Sequence, residues 1–157
     1  MFLSYILMIV SFALLLISGL QGYFEFKIYN ATHIQFSFIT IIVYMFSESW
    51  IMFYFIGSGK TIKEIILEYK LDKSIYQKVI NQKRKLFPHL TFNILFVGTV
   101  FVIGGGVHTK VISVAFHSNL FFFSLVHYLY LIKIKHKYFK ETADILAFLG
   151  DSINGKK

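Results

Sequence analysis

Four long apolar stretches limit what this 157-residue chain can fold into more than any other feature. Residues 1–20, 90–107 and 111–132 contain no Asp, Glu, Lys or Arg, and residues 34–56 contain only Glu48. A helix of about 20 apolar residues crosses the hydrocarbon of a bilayer and satisfies its own backbone hydrogen bonds. The pattern therefore predicts an all-α integral membrane protein, a four-transmembrane-helix bundle whose spans are these four stretches.

Composition excludes several other classes. The chain is 56% hydrophobic and 15% charged, whereas soluble domains are about 45–50% apolar and about 25% charged. A water-soluble globular protein is therefore excluded. The absence of cysteine excludes a disulfide-stapled scaffold, a thiolate metal site and a cysteine nucleophile. The net charge of +8 is carried by segments that flank the spans, so we expect no nucleic-acid partner.

The basic residues are distributed unevenly between the connecting segments. Of the 16 Lys and Arg residues, eight follow the second apolar stretch and six follow the fourth, while Lys27 and Lys110 occupy the other two connections. Because cytoplasmic segments are enriched in Lys and Arg, this distribution predicts that both termini lie in the cytoplasm. We expect the membrane to be the bacterial inner membrane.

The segment between the second and third stretches has a helical apolar pattern. Ile62, Ile65, Ile66 and Tyr69 recur at helical spacing, as do Ile75, Val79 and Ile80. This predicts an amphipathic cytoplasmic helical loop lying against the inner leaflet. The basic residues at the two ends of this segment would contact anionic lipid headgroups. They are Lys60, Lys83, Arg84 and Lys85. Residues 1–140 are predicted to form the membrane domain, and residues 141–157 a short polar cytoplasmic tail.

Polar residues inside the spans form two stripes. The second stretch carries His33, Ser37, Thr40, Tyr44 and Ser47, with Glu48 beside the last, and the fourth carries Ser113, His117, Ser124 and Tyr128. Burying such groups in a bilayer is unfavourable unless they are paired or face the bundle interior, so the stripes should face each other. By depth, His33, His108 and His117 fall near the outer face. Glu48 and His127 fall in the inner half, where we expect them to be hydrogen-bonded partners.

The outer histidines suggest a cofactor. Two histidines from different helices in an apolar bundle are the usual axial ligands of a b-type haem. The leading hypothesis is a small membrane subunit that binds haem b through His33 and His117, with Tyr44 of the same stripe as a further cofactor contact. It would transfer electrons within or to a larger membrane complex. Copper or zinc held by His33, His108 and His117 is the alternative cofactor.

Two other functions remain open from the sequence. A non-catalytic accessory or assembly subunit would use its apolar surface to contact other membrane subunits or further copies of this chain. A proton or ion path would use Glu48 and His127 as relay groups, since ionisable residues inside membranes commonly mark such routes. No nucleophile, base and orienting carboxylate occur at a recognisable spacing, so we do not expect a stand-alone enzyme.

Overall fold

The computed structural model describes residues 1–154, and over that range the chain forms four α-helices. They are α1 (Phe2–Phe24), α2 (His33–Glu68), α3 (Ser74–His108) and α4 (Val114–Asn154). Each is long and apolar enough to cross a membrane. The prediction of an all-helical chain with four candidate spans is confirmed.

Three of the helices extend well beyond the predicted spans. Helices α2, α3 and α4 have 36, 35 and 41 residues, against 23 for α1. At about 1.5 Å per residue they are about 50–60 Å long, whereas the hydrocarbon core is about 30 Å thick. The additional length lies where α2 turns into α3 and where α4 ends. The end of the bundle that contains the α2–α3 turn and the end of α4 carries most of the lysines, and we call it the basic end. The end that contains the α1–α2 and α3–α4 connections is called the opposite end.

The residues predicted to form an amphipathic loop belong to this extension, as the end of α2 and the start of α3. Ile62 and Ile66 of α2, Val79 of α3 and Leu149 of α4 pack into one buried cluster. The apolar face that was expected to lie on the leaflet is therefore covered by neighbouring helices. When the ends of α2, α3 and α4 pack together, the apolar face of each is removed from water. This explains why α2 and α3 each extend as one helix beyond the apolar stretch.

The segment predicted as a tail begins as a continuation of α4. Residues 141–154 are helical, and Thr142 and Leu149 are buried. Lys156 and Lys157, two of the basic residues used to predict topology, lie outside the described residues.

Helices α1 and α2 pack through small polar residues. Ser4, Ser11 and Ser18, spaced seven apart on α1, are all buried. The Ser11 hydroxyl donates to Ser47 Oγ over 2.7 Å, and Ser18 Oγ lies 2.8 Å from Ser37 Oγ. Small side chains let two helix backbones approach closely, and each hydroxyl pair also satisfies itself inside an apolar bundle.

Candidate functional site

An ion pair between Glu48 of α2 and Lys135 of α4 lies in the bundle core. The Lys135 ammonium donates to both carboxylate oxygens of Glu48, at 2.6 and 2.5 Å, and both side chains are 0% exposed. The ammonium also lies 4.8 Å from the centre of the Tyr128 ring. Removing two charges from water costs several kcal/mol per ion, so only close contact of this kind makes the arrangement tolerable.

Lys135 is a residue that the sequence reasoning missed. It was assigned to the surface lysines after the fourth span, which ended at residue 132. Helix α4 does not end there, and its buried face continues through Tyr128, Leu131, Lys135, Phe139 and Thr142 at steps of three and four. Extending the helical periodicity past the apolar stretch would have placed Lys135 on the core face.

Two buried tyrosines lie beside the ion pair. The rings of Tyr44 and Tyr128 meet edge to face, with centres 5.4 Å apart. Within the described part of the chain, the buried Tyr128 hydroxyl approaches Glu48 and Ser11 without an ordinary hydrogen bond. The Tyr44 hydroxyl donates to Asn93 Oδ1 over 2.6 Å. The tyrosine pair thus connects the ion pair on α2 and α4 to Asn93 on α3.

Asn93 in turn connects to His127. Its Nδ2 lies 2.9 Å from His127 Nδ1 and donates to the Ser124 carbonyl over 3.2 Å. The His127 and His89 rings lie 5.7 Å apart between α3 and α4. Glu48 and His127, expected to be direct partners, are therefore linked only through intermediate side chains. We call the whole set the buried polar network: Glu48, Lys135, Tyr128, Tyr44, Asn93, His127 and His89. Its first five residues are buried, whereas His127 and His89, where it ends between α3 and α4, are only half-buried.

The histidines predicted to bind haem lie at the opposite end of the bundle. His33 Nδ1 lies 3.3 Å from Ser37 Oγ, and its ring packs on Gly22 of α1, where a Cβ atom would come within 2.9 Å of it. The His117 ring packs on Gly104 of α3, where a Cβ atom would come within 3.3 Å of it. The two imidazoles lie close enough for their charges to interact. The predicted pair therefore shares one region of the bundle.

This geometry gives no support to the predicted cofactor site. Each imidazole packs against a glycine of a different neighbouring helix, His33 on α1 and His117 on α3. His108 is exposed where α3 ends, and Tyr44 belongs to the buried polar network. Residues 1–154 contain no group of three or more His, Cys, Asp or Glu placed to hold a metal ion. Haem held by His33 and His117, and a metal ion held by His33, His108 and His117, therefore stay predictions.

The predicted headgroup contacts lie at the basic end. Lys60, Arg84 and Lys85 are exposed, and Lys60 lies 3.8 Å from Glu64 on the same helix. Lys83 crosses over Gly59 and donates to the Ile56 carbonyl over 3.5 Å. A Cβ atom at position 59 would lie 2.7 Å from Lys83 Cε, so the glycine provides the space for this side chain.

Comparison with known proteins adds no relative. No protein-family model, no curated protein and no solved structure matches the chain.

Proposed function

We propose that this protein is a bacterial inner-membrane protein whose buried polar network provides a proton path, with Glu48 and His127 as relay groups. The observation that carries the proposal is the fully buried ion pair of Glu48 and Lys135. Ionisable residues inside membrane bundles face the interior, pair with one another and commonly mark proton routes. A pair that served packing alone could be replaced by apolar side chains of similar volume.

The chemistry of the network suits proton exchange. Protonation of the Glu48 carboxylate would leave the Lys135 ammonium as an unpaired buried cation, which favours release of a proton from its Nζ atom. The total charge of the pair is then unchanged. The neighbouring Tyr128 hydroxyl is buried close to Glu48 and Ser11, and among residues 1–154 it makes no ordinary hydrogen bond.

Polar groups also extend from Glu48 toward the opposite end. The Ser11–Ser47 and Ser18–Ser37 pairs lie on this route, with the buried Thr40 hydroxyl between them. His33 begins α2 about 22 Å from Glu48, at 1.5 Å per residue. Side chains that can bond to water therefore occur along most of the distance, and Thr40 Oγ1 is without a partner in the described chain.

The orientation within the membrane belongs to the same proposal. The basic end carries the lysines that flank the spans, and cytoplasmic segments are enriched in such residues. We place this end and both termini in the cytoplasm, with Lys60, Lys83, Arg84 and Lys85 at anionic headgroups. The buried Lys135 does not count toward this argument, because it is paired inside the bundle.

Proton flux into liposomes tests the proposal. Purified protein would be reconstituted around a pH-sensitive dye, and flux would be driven by a potassium diffusion potential. Glu48→Gln should abolish the flux, whereas Glu64→Gln on the exposed side of the same helix should leave it unchanged. The double variant Glu48→Gln with Lys135→Met removes both charges and avoids an unpaired buried lysine. Wild-type flux in this folded double variant would overturn the proposal.

An accessory subunit is the second candidate, favoured by the aromatic surface of α4. Phe116, Phe122, Phe123 and Tyr130 are each more than half exposed. In this case the ion pair would serve only to select one helix arrangement, and the partner subunits would cover the aromatic side chains. Unchanged assembly and unchanged cellular activity in the double variant would favour this candidate over the proton path.

The haem hypothesis makes a separate prediction. Protein purified from iron-replete cells would show a Soret band that is lost when His33 and His117 are both replaced by alanine. The proton path requires no such band, so one absorption spectrum distinguishes the two functions.

A further inference from the structure

The side-chain amide of Asn93 has one allowed orientation. A backbone carbonyl can only accept, so the atom facing the Ser124 carbonyl must be Nδ2. The Tyr44 hydroxyl donates to the other end of the amide, Oδ1. Both contacts are buried and agree with each other, so they determine which end of the amide faces His127.

The amide orientation determines the tautomer of His127. The same Nδ2 group lies 2.9 Å from His127 Nδ1, and an amide nitrogen can only donate. His127 Nδ1 must therefore accept the hydrogen bond. In neutral His127 the ring proton is consequently on Nε2.

We propose that Asn93 is the positioning residue that couples the protonation of His127 to Tyr44, which deepens the proposed proton path and rests on it. A proton that binds to His127 Nδ1 points directly at the amide NH₂ group, and two donors cannot face each other. The amide must rotate, so that Oδ1 accepts from the new N–H bond. Nδ2 then faces the Tyr44 oxygen, and the Tyr44 proton turns away from Asn93.

The position of Tyr44 links this change at His127 to the ion pair. The Tyr44 ring contacts the Tyr128 ring, which lies under the Lys135 ammonium. A protonation event at His127 therefore changes the hydrogen bonding of Tyr44, whose ring contacts the tyrosine beside the ion pair, although His127 itself does not contact the ion pair. In the rotated state Oδ1 faces the Ser124 carbonyl, and this repulsion returns the amide when His127 loses its proton.

Other titratable groups also face His127. The His89 ring of α3 lies 5.7 Å away, and the Tyr130 ring of α4 lies 6.2 Å away. Tyr44 of α2 does not contact His127 directly but is hydrogen-bonded to Asn93, which lies between them.

Nitrogen NMR of the full chain in lipid nanodiscs tests this inference. Labelling histidine with ¹⁵N reports directly which ring nitrogen carries the proton, and wild-type His127 should be the Nε2–H tautomer. Asn93→Asp is nearly isosteric but only accepts hydrogen bonds, so it should convert His127 to the Nδ1–H tautomer. Asn81→Asp, at an exposed position of the same helix, should leave the tautomer unchanged.

A pH titration of the same sample completes the test. The Asn93 side-chain amide resonances should shift with the same midpoint as His127, and His89→Gln should move that midpoint without changing the tautomer. An Nδ1–H tautomer in the wild-type protein, or an Asn93 amide that does not respond to the titration, would overturn the inference. These measurements need no flux, so loss of the proton-path proposal alone would leave them unaffected.

Discussion

Lys135 and Glu48 are 87 positions apart in the sequence, yet the Lys135 ammonium contacts both oxygens of the Glu48 carboxylate. The pair joins α2 to α4, which otherwise contact each other much less than sequential helices do. It is therefore a polar connection across the diagonal of the bundle. Because both charges are fully buried, neither can be lost alone without leaving the other unpaired.

Replacing Lys135 alone should strongly destabilise the bundle. Lys135→Met leaves the Glu48 carboxylate buried without its partner, and such changes cost about 3–5 kcal/mol. Adding Glu48→Gln should recover much of that loss. Unfolding in mixed detergent measures both effects, and Lys137→Met, which removes an exposed lysine, should have no effect. Equal stability of the Lys135→Met variant and the wild type would contradict the buried pair.

Loss of the Tyr44 hydroxyl should weaken the contact between α2 and α3. Tyr44→Phe keeps the buried ring against Tyr128 but leaves Asn93 Oδ1 without its donor. An unsatisfied buried acceptor costs about 1–3 kcal/mol. Tyr23→Phe, at an exposed position near the end of α1, is the matched control for the same unfolding measurement. If both variants unfold alike, Tyr44 does not donate to Asn93.

The end of α4 should contribute to stability although it was predicted to be a tail. Leu149 is fully buried against Ile62, Ile66 and Val79, and a buried Leu→Ala replacement costs about 2–5 kcal/mol. Phe148→Ala removes a larger but exposed side chain and should cost far less. Amide hydrogen exchange across residues 141–154 gives a second measurement. Fast exchange there in the wild-type protein would show that this segment does not pack.

Asp72, in the turn before α3, should titrate below the usual range. Its pKa is lowered chiefly because it accepts hydrogen bonds from the Ser74 hydroxyl and backbone N–H. A pKa that is lowered on folding stabilises the fold above the unfolded-state pKa, and this contribution is lost as pH falls through the folded-state pKa. Ser74→Ala should therefore raise the pKa of Asp72, as carboxyl ¹³C shifts would show. Ser113→Ala, in the distant α3–α4 connection, is the control.

Some features of the site follow from local sequence. The four candidate spans are visible because each apolar stretch alone is long enough to cross a membrane. The seven-residue spacing of Ser4, Ser11 and Ser18 also places them on one face of α1, which indicates a face for close helix packing. Both depend only on residues within one helix, and the structure has both.

Which side chains pair with Glu48 and Asn93 depends on contacts between helices, which the sequence of one helix does not show. Glu48 was recognised as a buried ionisable group from its span, but its partner is on another helix, beyond the end of the apolar stretch that the sequence marks. Asn93 shows the same limit, because a single amide in an apolar span has no pattern of its own. Which groups meet is set by the lengths and rotations of α2, α3 and α4, since these bring Lys135 to Glu48 and Asn93 between Tyr44 and His127. Hydropathy determines that a helix crosses the bilayer, whereas packing against its neighbours determines where each polar side chain finds its hydrogen bond.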